Sequence, residues 1–188
     1  MILIGCSPAE RHTEQHDVFF GIGNTVDDLI PDIISFWPGQ KLHMDAWREV
    51  VNVDGYRVEV VSKSDSRRSL AQLFFLNLGG YKQNEFEEFH YKLVVAAPDK
   101  SAAVKLARRT AFYRHTGFKG APAHIDDKFG VDVDDVHEIA DILPAMIKNN
   151  YRLILTPSNS DVQDEIHLGY FKLENVRMTI SNSTTTRS

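Results

Sequence analysis

Cysteine is almost missing from this 188-residue chain: Cys6 is the single one, which excludes an internal disulfide and any cysteine-based structural zinc site. No apolar run approaches the roughly 18 to 20 residues that a membrane-spanning helix needs. Positive charge is not in excess either. The 21 Lys and Arg stand against 26 Asp and Glu, and the resulting net charge of -5 argues against a general affinity for the nucleic-acid backbone. Complete dinucleotide-loop, phosphate-loop and His-Glu-x-x-His spacings are absent, so Gly21-Ile22-Gly23 and Gly79-Gly80 read as turns. Leu3-Ile4-Gly5-Cys6 has the outline of a lipoprotein cleavage box, but no positive segment precedes it and the apolar run is too short for a signal peptide. These absences lead us to expect a soluble, cytoplasmic protein with no membrane segment and no nucleic-acid partner. A small molecule or a protein is the expected partner class, with cofactor and oligomeric state unspecified.

What the chain does have is material for a core, and a pattern that occurs twice. At 43% hydrophobic it can fill one ordinary core or two small lobes. Glu14-Gln15-His16 leading into Asp17-Val18-Phe19-Phe20 has a counterpart in Glu88-Phe89-His90 leading into Tyr91-Lys92-Leu93-Val94, an offset of 74 (88 minus 14). The same offset sets Ile4-Gly5 over Leu78-Gly79. A later His43-Met44-Asp45 matches His124-Ile125-Asp126 at an offset of 81 (124 minus 43), which implies an insertion around residues 116–122, a stretch with loop chemistry. Ionisable residues that recur in one order on comparable backgrounds predict an internal duplication.

Each copy reads as ββαββ. The first has strands over residues 1–5 and 16–23, then a helix whose apolar face is Leu29, Ile30, Ile33, Ile34 and Phe36; Pro31 predicts a kink or a late start. Strand segments follow over residues 41–53, and Asp54-Gly55 signals a tight hairpin into residues 56–61. Residues 62–69 are polar and read as a linker. The second copy repeats the order, with strands over 73–78 and 91–97 and a helix from Asp99 to about His115. Over residues 131–150 the two signals disagree: Val136, Ile139 and Leu143 have helical spacing, whereas correspondence with the first copy calls for a strand. The expected fold class is α+β, two tandem ββαββ-type repeats with a pseudo-twofold relation, their helices packed on mostly antiparallel sheet. The expected divisions are residues 1–70, 71–157, a strand extension over 158–178 and a disordered tail over 179–188.

Side chains alternate along a strand, so Glu14 and His16 share a face, as do Glu88 with His90, His43 with Asp45, and His124 with Asp126. A carboxylate beside an imidazole orients it, raises its pKa or joins it as a metal ligand. Metal candidates are therefore His16, His43, His90 and His124, and catalytic candidates are His43, Asp45, His124 and Asp126. The alternative is that these pairs are hydrogen-bonded fixtures at strand ends. Ligand-binding candidates are His16 and His90, with Arg108, Arg109 and Lys119 from the basic second helix and the loop after it. Paired histidines in duplicated lobes resemble the two-histidine phosphoesterases, but Asp45 and Asp126 stand where that family has a hydroxyl, and an anion there repels phosphate.

The segments around Glu14 to Gly23, His43 to Glu49, Asn77 to Tyr81, Asn84 to Tyr91 and His115 to Gly120 resemble an uncharacterised bacterial family, the domain of unknown function 1543, in two tandem copies. That resemblance covers the chain from the first strand to about Tyr170 and implies no activity. The functional expectation is a small-ligand or partner-binding protein with a His- and Asp-lined cleft between repeats. The alternative is a hydrolase, metal-dependent or of two-histidine type, using the His-x-Asp motifs.

Overall fold

Ten strands and four short helices account for residues 1–81, 84–109, 131–159 and 162–173, the part of the chain that the computed structural model describes. In chain order they are β1 (Ile2–Cys6), β2 (Gln15–Phe19), α1 (Ile30–Phe36), β3 (His43–Trp47), β4 (Asn52–Val53), β5 (Tyr56–Ser62), β6 (Gln72–Tyr81), β7 (Glu88–Ala97), α2 (Lys100–Ala107), β8 (Val131–Glu138), α3 (Ile139–Ile142), α4 (Ala145–Asn150), β9 (Tyr151–Pro157) and β10 (His167–Lys172). The class is α+β, and every strand pairing among the described residues is antiparallel. Two compact units result. The first comprises residues 1–50, 144–147 and the segment from Asp164 on; the second comprises residues 51–143 and 148–163.

The first unit is built on the order β10-β3-β1-β2. Alternation along β1 sends Ile2, Ile4 and Cys6 into a core with Phe19, Met44, Val26 and Ile33, each side chain contributing about 1.5–3 kcal/mol on burial if large and apolar. Thr25 and Asp28 start the helical segment by reciprocal capping. The Asp28 N–H donates to Thr25 Oγ1 at 3.3 Å, and the Asp28 carboxylate accepts from the N–H groups of Asn24 and Thr25 at 3.0 Å. A 3-10 turn (Asp27–Leu29) comes first and α1 starts late, with Pro31 in its first turn, where a missing N–H breaks no helical hydrogen bond.

The second unit holds two sheets, β4-β5-β9 and β7-β6-β8. Asp54 and Gly55 join β4 to β5 with φ of 48° and 78°, the paired left-handed conformation of a two-residue hairpin turn. The Asp54 carboxylate also accepts from the Ala96 N–H at 2.9 Å. After β5 the polar segment over residues 63–69 is anything but loose. Arg152 of β9 donates to the carbonyls of Asp65 (3.0 Å) and Arg67 (2.7 Å), and Ser69 Oγ accepts from the Leu155 N–H at 2.9 Å. Phe74, Leu76 and Leu78 of β6 pack with Val95, Ala97 and the α2 residues Ala103 and Ala107. Asp99 caps α2 by accepting from the Ala102 N–H at 2.8 Å.

Gly79-Gly80 reads as a turn in sequence, but both glycines lie inside β6, bonded on both sides; Gly79 faces His90 on β7 and Asp132 on β8. The segment over 131–150 divides into a strand through Glu138 and short helices over Ile139–Ile142 and Ala145–Asn150; of the three helically spaced residues, Val136 belongs to the strand, Ile139 to a helix, and Leu143 follows that helix in extended conformation. Strand registers in the two units run in parallel. Ile2 faces Phe19 and Leu76 faces Leu93, an offset of 74 in each partner (76 minus 2, 93 minus 19). The third strands carry a different offset. Gly5 faces His43 and Gly79 faces Asp132, so the shift is 89 (132 minus 43) instead of the 81 suggested by motif matching. His124, Asp126, Lys119, the loop over 116–122 and the tail over 179–188 lie outside the described residues. No helix among the described residues is long and apolar enough to cross a membrane.

Candidate metal centre

Gly5 is the pivot of the face of the first sheet that turns away from its core. Its cross-strand neighbours are His16 on β2 and His43 on β3, so two imidazoles flank a position without a side chain. Glu14 precedes His16 by two residues and reaches the same place. Asp45 arrives by a different route, a β-bulge. Leu3 faces Ala46 and Ile4 faces Met44, leaving Asp45 as the extra residue on β3. The bulge lets Met44 and Trp47 serve the core while His43 and Asp45 both serve the opposite side.

The four side chains converge closely. His16 Nε2 lies 3.5 Å from Glu14 Oε2 and 3.2 Å from Asp45 Oδ2; His43 Nε2 lies 3.1 Å from Glu14 Oε1 and 3.3 Å from Asp45 Oδ1. Ligand atoms of Glu14, His16 and His43 all fall within 4.8 Å of one another. Two Nε2 atoms can donate at most two hydrogens to these four contacts. Moreover, the distances are met but the alignment is not: His43 Nε2 and Asp45 Oδ2 are buried and make no hydrogen bond among the described residues. Donor atoms that approach one another without pointing at one another are arranged around a shared centre. Two nitrogens and carboxylate oxygens so placed suit zinc or another divalent transition metal.

The surroundings hold this geometry. A Cβ on residue 5 would collide with the His43 ring and stand 2.8 Å from Asp45 Oδ2, so the site exists only because that strand position is glycine. The Tyr170 ring of β10 lies on His43, centroids 4.4 Å apart, and His43 is 4% exposed. Trp47 stacks on His167 at 4.0 Å on the neighbouring rung. Cys6 follows Gly5 but points into the core, where burial, with a smaller push from Glu14, raises its thiol pKa. It is a packing residue and adds no ligand.

Of the residues singled out in sequence, the structure brings His16, His43 and Asp45 together. His90 lies on β7 of the second unit; Arg108 caps the end of α2 and Arg109 follows it. Glu14 completes the cluster, and Gly5 and Tyr170 shape it. A glycine in the middle of an apolar strand was the available signal for Gly5; nothing local in sequence marks Tyr170.

Residues 11–60 match the family described as Domain of Unknown Function (DUF1543), and that stretch contains all four converging side chains. No curated protein matches the chain. Among solved structures, the chain is similar to the crystal structure of a protein Il1583 from Idiomarina loihiensis, at 21% identity and a TM-score of 0.57, over 92% of this chain and 94% of that one. At that identity the likeness is one of fold, and the family match is to a domain without an assigned activity.

Proposed function

We propose that the first unit binds a divalent transition-metal ion through Glu14, His16 and His43, with Asp45 as the fourth donor, and that the ion is the platform on which a small ligand is held. The observation that carries this reading is the buried Nε2 of His43, in contact with two carboxylates and hydrogen-bonded to neither. A merely structural imidazole would have spent that hydrogen on one aligned acceptor. Elemental analysis of the purified protein and zinc or manganese titration by calorimetry test the reading. One equivalent lost in both His43→Ala and His16→Ala supports it; equal metal content in wild type and variants, or none in any, rejects it.

A second reading, hydrolysis by a metal-activated water, draws on Asp45 Oδ2, which is buried without a hydrogen bond among the described residues. On this reading Glu14, His16 and His43 would hold the ion, which would supply an activated water, and Asp45 would serve as the general base. A screen of ester and phosphodiester substrates with the metal-loaded protein distinguishes the two readings. Asp45→Asn should abolish turnover while retaining most of the metal. The common registers of the two units, each with a glycine facing a histidine and a third-strand acidic or histidine residue, further support descent of the chain from a duplicated module. On that reading the second sheet keeps Glu88 and His90 but has Asp132 in the place of His43.

A further inference from the structure

The second unit contains a cavity of about 350 Å³ whose floor and rim differ in chemistry. Leu73 and Leu155, both buried, belong to the floor, together with other small apolar side chains. Around it stand four cations, Lys63, Arg68, Lys148 and Arg152, against one carboxylate, Glu138. In a chain of net charge -5 this is a local reversal of sign. Three of these cations are not consumed by anionic side chains. Lys148 donates to the Asp141 carbonyl at 2.9 Å, a neutral acceptor, whereas Arg152 donates to two backbone carbonyls and also stands within electrostatic reach of the Asp65 carboxylate. Lys63 and Arg68 make no side-chain hydrogen bond or ion pair among the described residues.

The wall that presents them is fixed. Arg152 holds the carbonyls of Asp65 and Arg67, and Ser69 is tied to Leu155, so Arg68 sits between two anchored residues. An apolar floor selects a ligand with an apolar body, and several uncompensated cations on the rim select a concentrated negative charge. We propose that this cavity is a binding site for a small phosphate monoester with an apolar body, its dianion held by Lys63 and Arg68 with Arg152 and Lys148 behind them. It lies wholly within the second unit and is independent of the metal centre.

The test is a titration of the full chain with phenyl phosphate, followed by amide chemical shifts, with phenol, inorganic phosphate and benzoate as comparison probes. The expected result is saturable binding with shifts at Leu73, Tyr151 and Leu155. Affinity should be at least ~10-fold weaker for phenol and for inorganic phosphate, each lacking half of the recognised chemistry. Lys63→Ala/Arg68→Ala, which alters only exposed side chains, should weaken phenyl phosphate by about 10-fold or more, the equivalent of about 1.4 kcal/mol. Glu138→Gln should tighten it. The proposal is overturned if phenyl phosphate does not saturate, if the double variant binds it unchanged, if benzoate binds equally well, or if the shifts centre on His16 and His43 instead.

Discussion

Replacing Gly5 by alanine is the sharpest perturbation of the proposed metal centre, because it adds one methyl group and removes no ligand. An ideal Cβ there would stand 2.8 Å from both Asp45 Oδ2 and His43 Cε1. Favourable contacts begin at about 3.5 Å, so the ring and carboxylate must retreat by the better part of ~1 Å. His43 has little freedom to do so, being 4% exposed and covered by Tyr170. A metal bond tolerates only about 0.2 Å, and we expect zinc affinity to fall by about 100-fold, the upper range for a disturbed ligand support. Linkage converts that loss into heat stability. Zinc at about 1,000 times its Kd stabilises the wild type by about 4.1 kcal/mol, and the same zinc stabilises a 100-fold weaker binder by about 1.4 kcal/mol. At about 2–4 °C per kcal/mol for a chain of this size, the zinc-dependent rise in Tm should shrink from about 8–16 °C to about 3–6 °C. Circular dichroism melts with and without zinc read this directly. The metal-free variant should also be less stable by about 1–3 kcal/mol from overpacking. An equal zinc increment in Gly5→Ala and wild type would refute the geometric reasoning, and no increment in the wild type would refute the metal centre itself.

Three further outcomes follow from other parts of the fold. Cys6 is enclosed in the first core with its thiol pKa raised by burial, so iodoacetamide at pH 8 should leave it unmodified until denaturant is added; rapid native alkylation would show the core assignment to be wrong. Burial, with a smaller push from Asp141, raises the carboxyl pKa of Glu138 above its ordinary value of 4.5. The folded state then holds the proton more tightly than the unfolded one, so stability falls as pH rises through the interval above 4.5. Glu138→Gln should therefore match the wild type near pH 4 and exceed it at pH 7 in urea denaturation, and the opposite ordering would contradict the cause assigned. Arg152→Ala removes both donors that hold the carbonyls of Asp65 and Arg67; limited trypsin digestion should then cut after Arg67 or Arg68 several-fold faster, and an unchanged cleavage rate would mean that the bonds of Ser69 to Leu155 and of Arg67 to Glu59 are enough to secure the segment.

The sequence determined the secondary elements that follow from local chemistry. Pro31 delayed α1, Asp99 capped α2, and Asp54-Gly55 made its hairpin, because each acts through the backbone within a few residues of itself. It also determined the chemical types at the candidate site, since Glu14, His16, His43 and Asp45 are legible as acid-imidazole pairs on alternating strands. It did not disclose that Gly79 and Gly80 belong to a strand, because a glycine pair with no local turn partner is assigned by its neighbours across the sheet.

Tertiary structure alone decided which pairs meet. The bulge that turns Asp45 toward His16 depends on how β3 pairs with β1, and a one-residue register change on the same sequence would have sent those side chains to the core face. The pairing of β8 with β6 put Asp132 opposite Gly79. Motif matching compares residues along the chain, whereas a ladder compares them across it. The cavity of the second unit is likewise invisible in sequence, since its cations come from segments far apart in the chain and gather only when residues 63–69 are tied to β9.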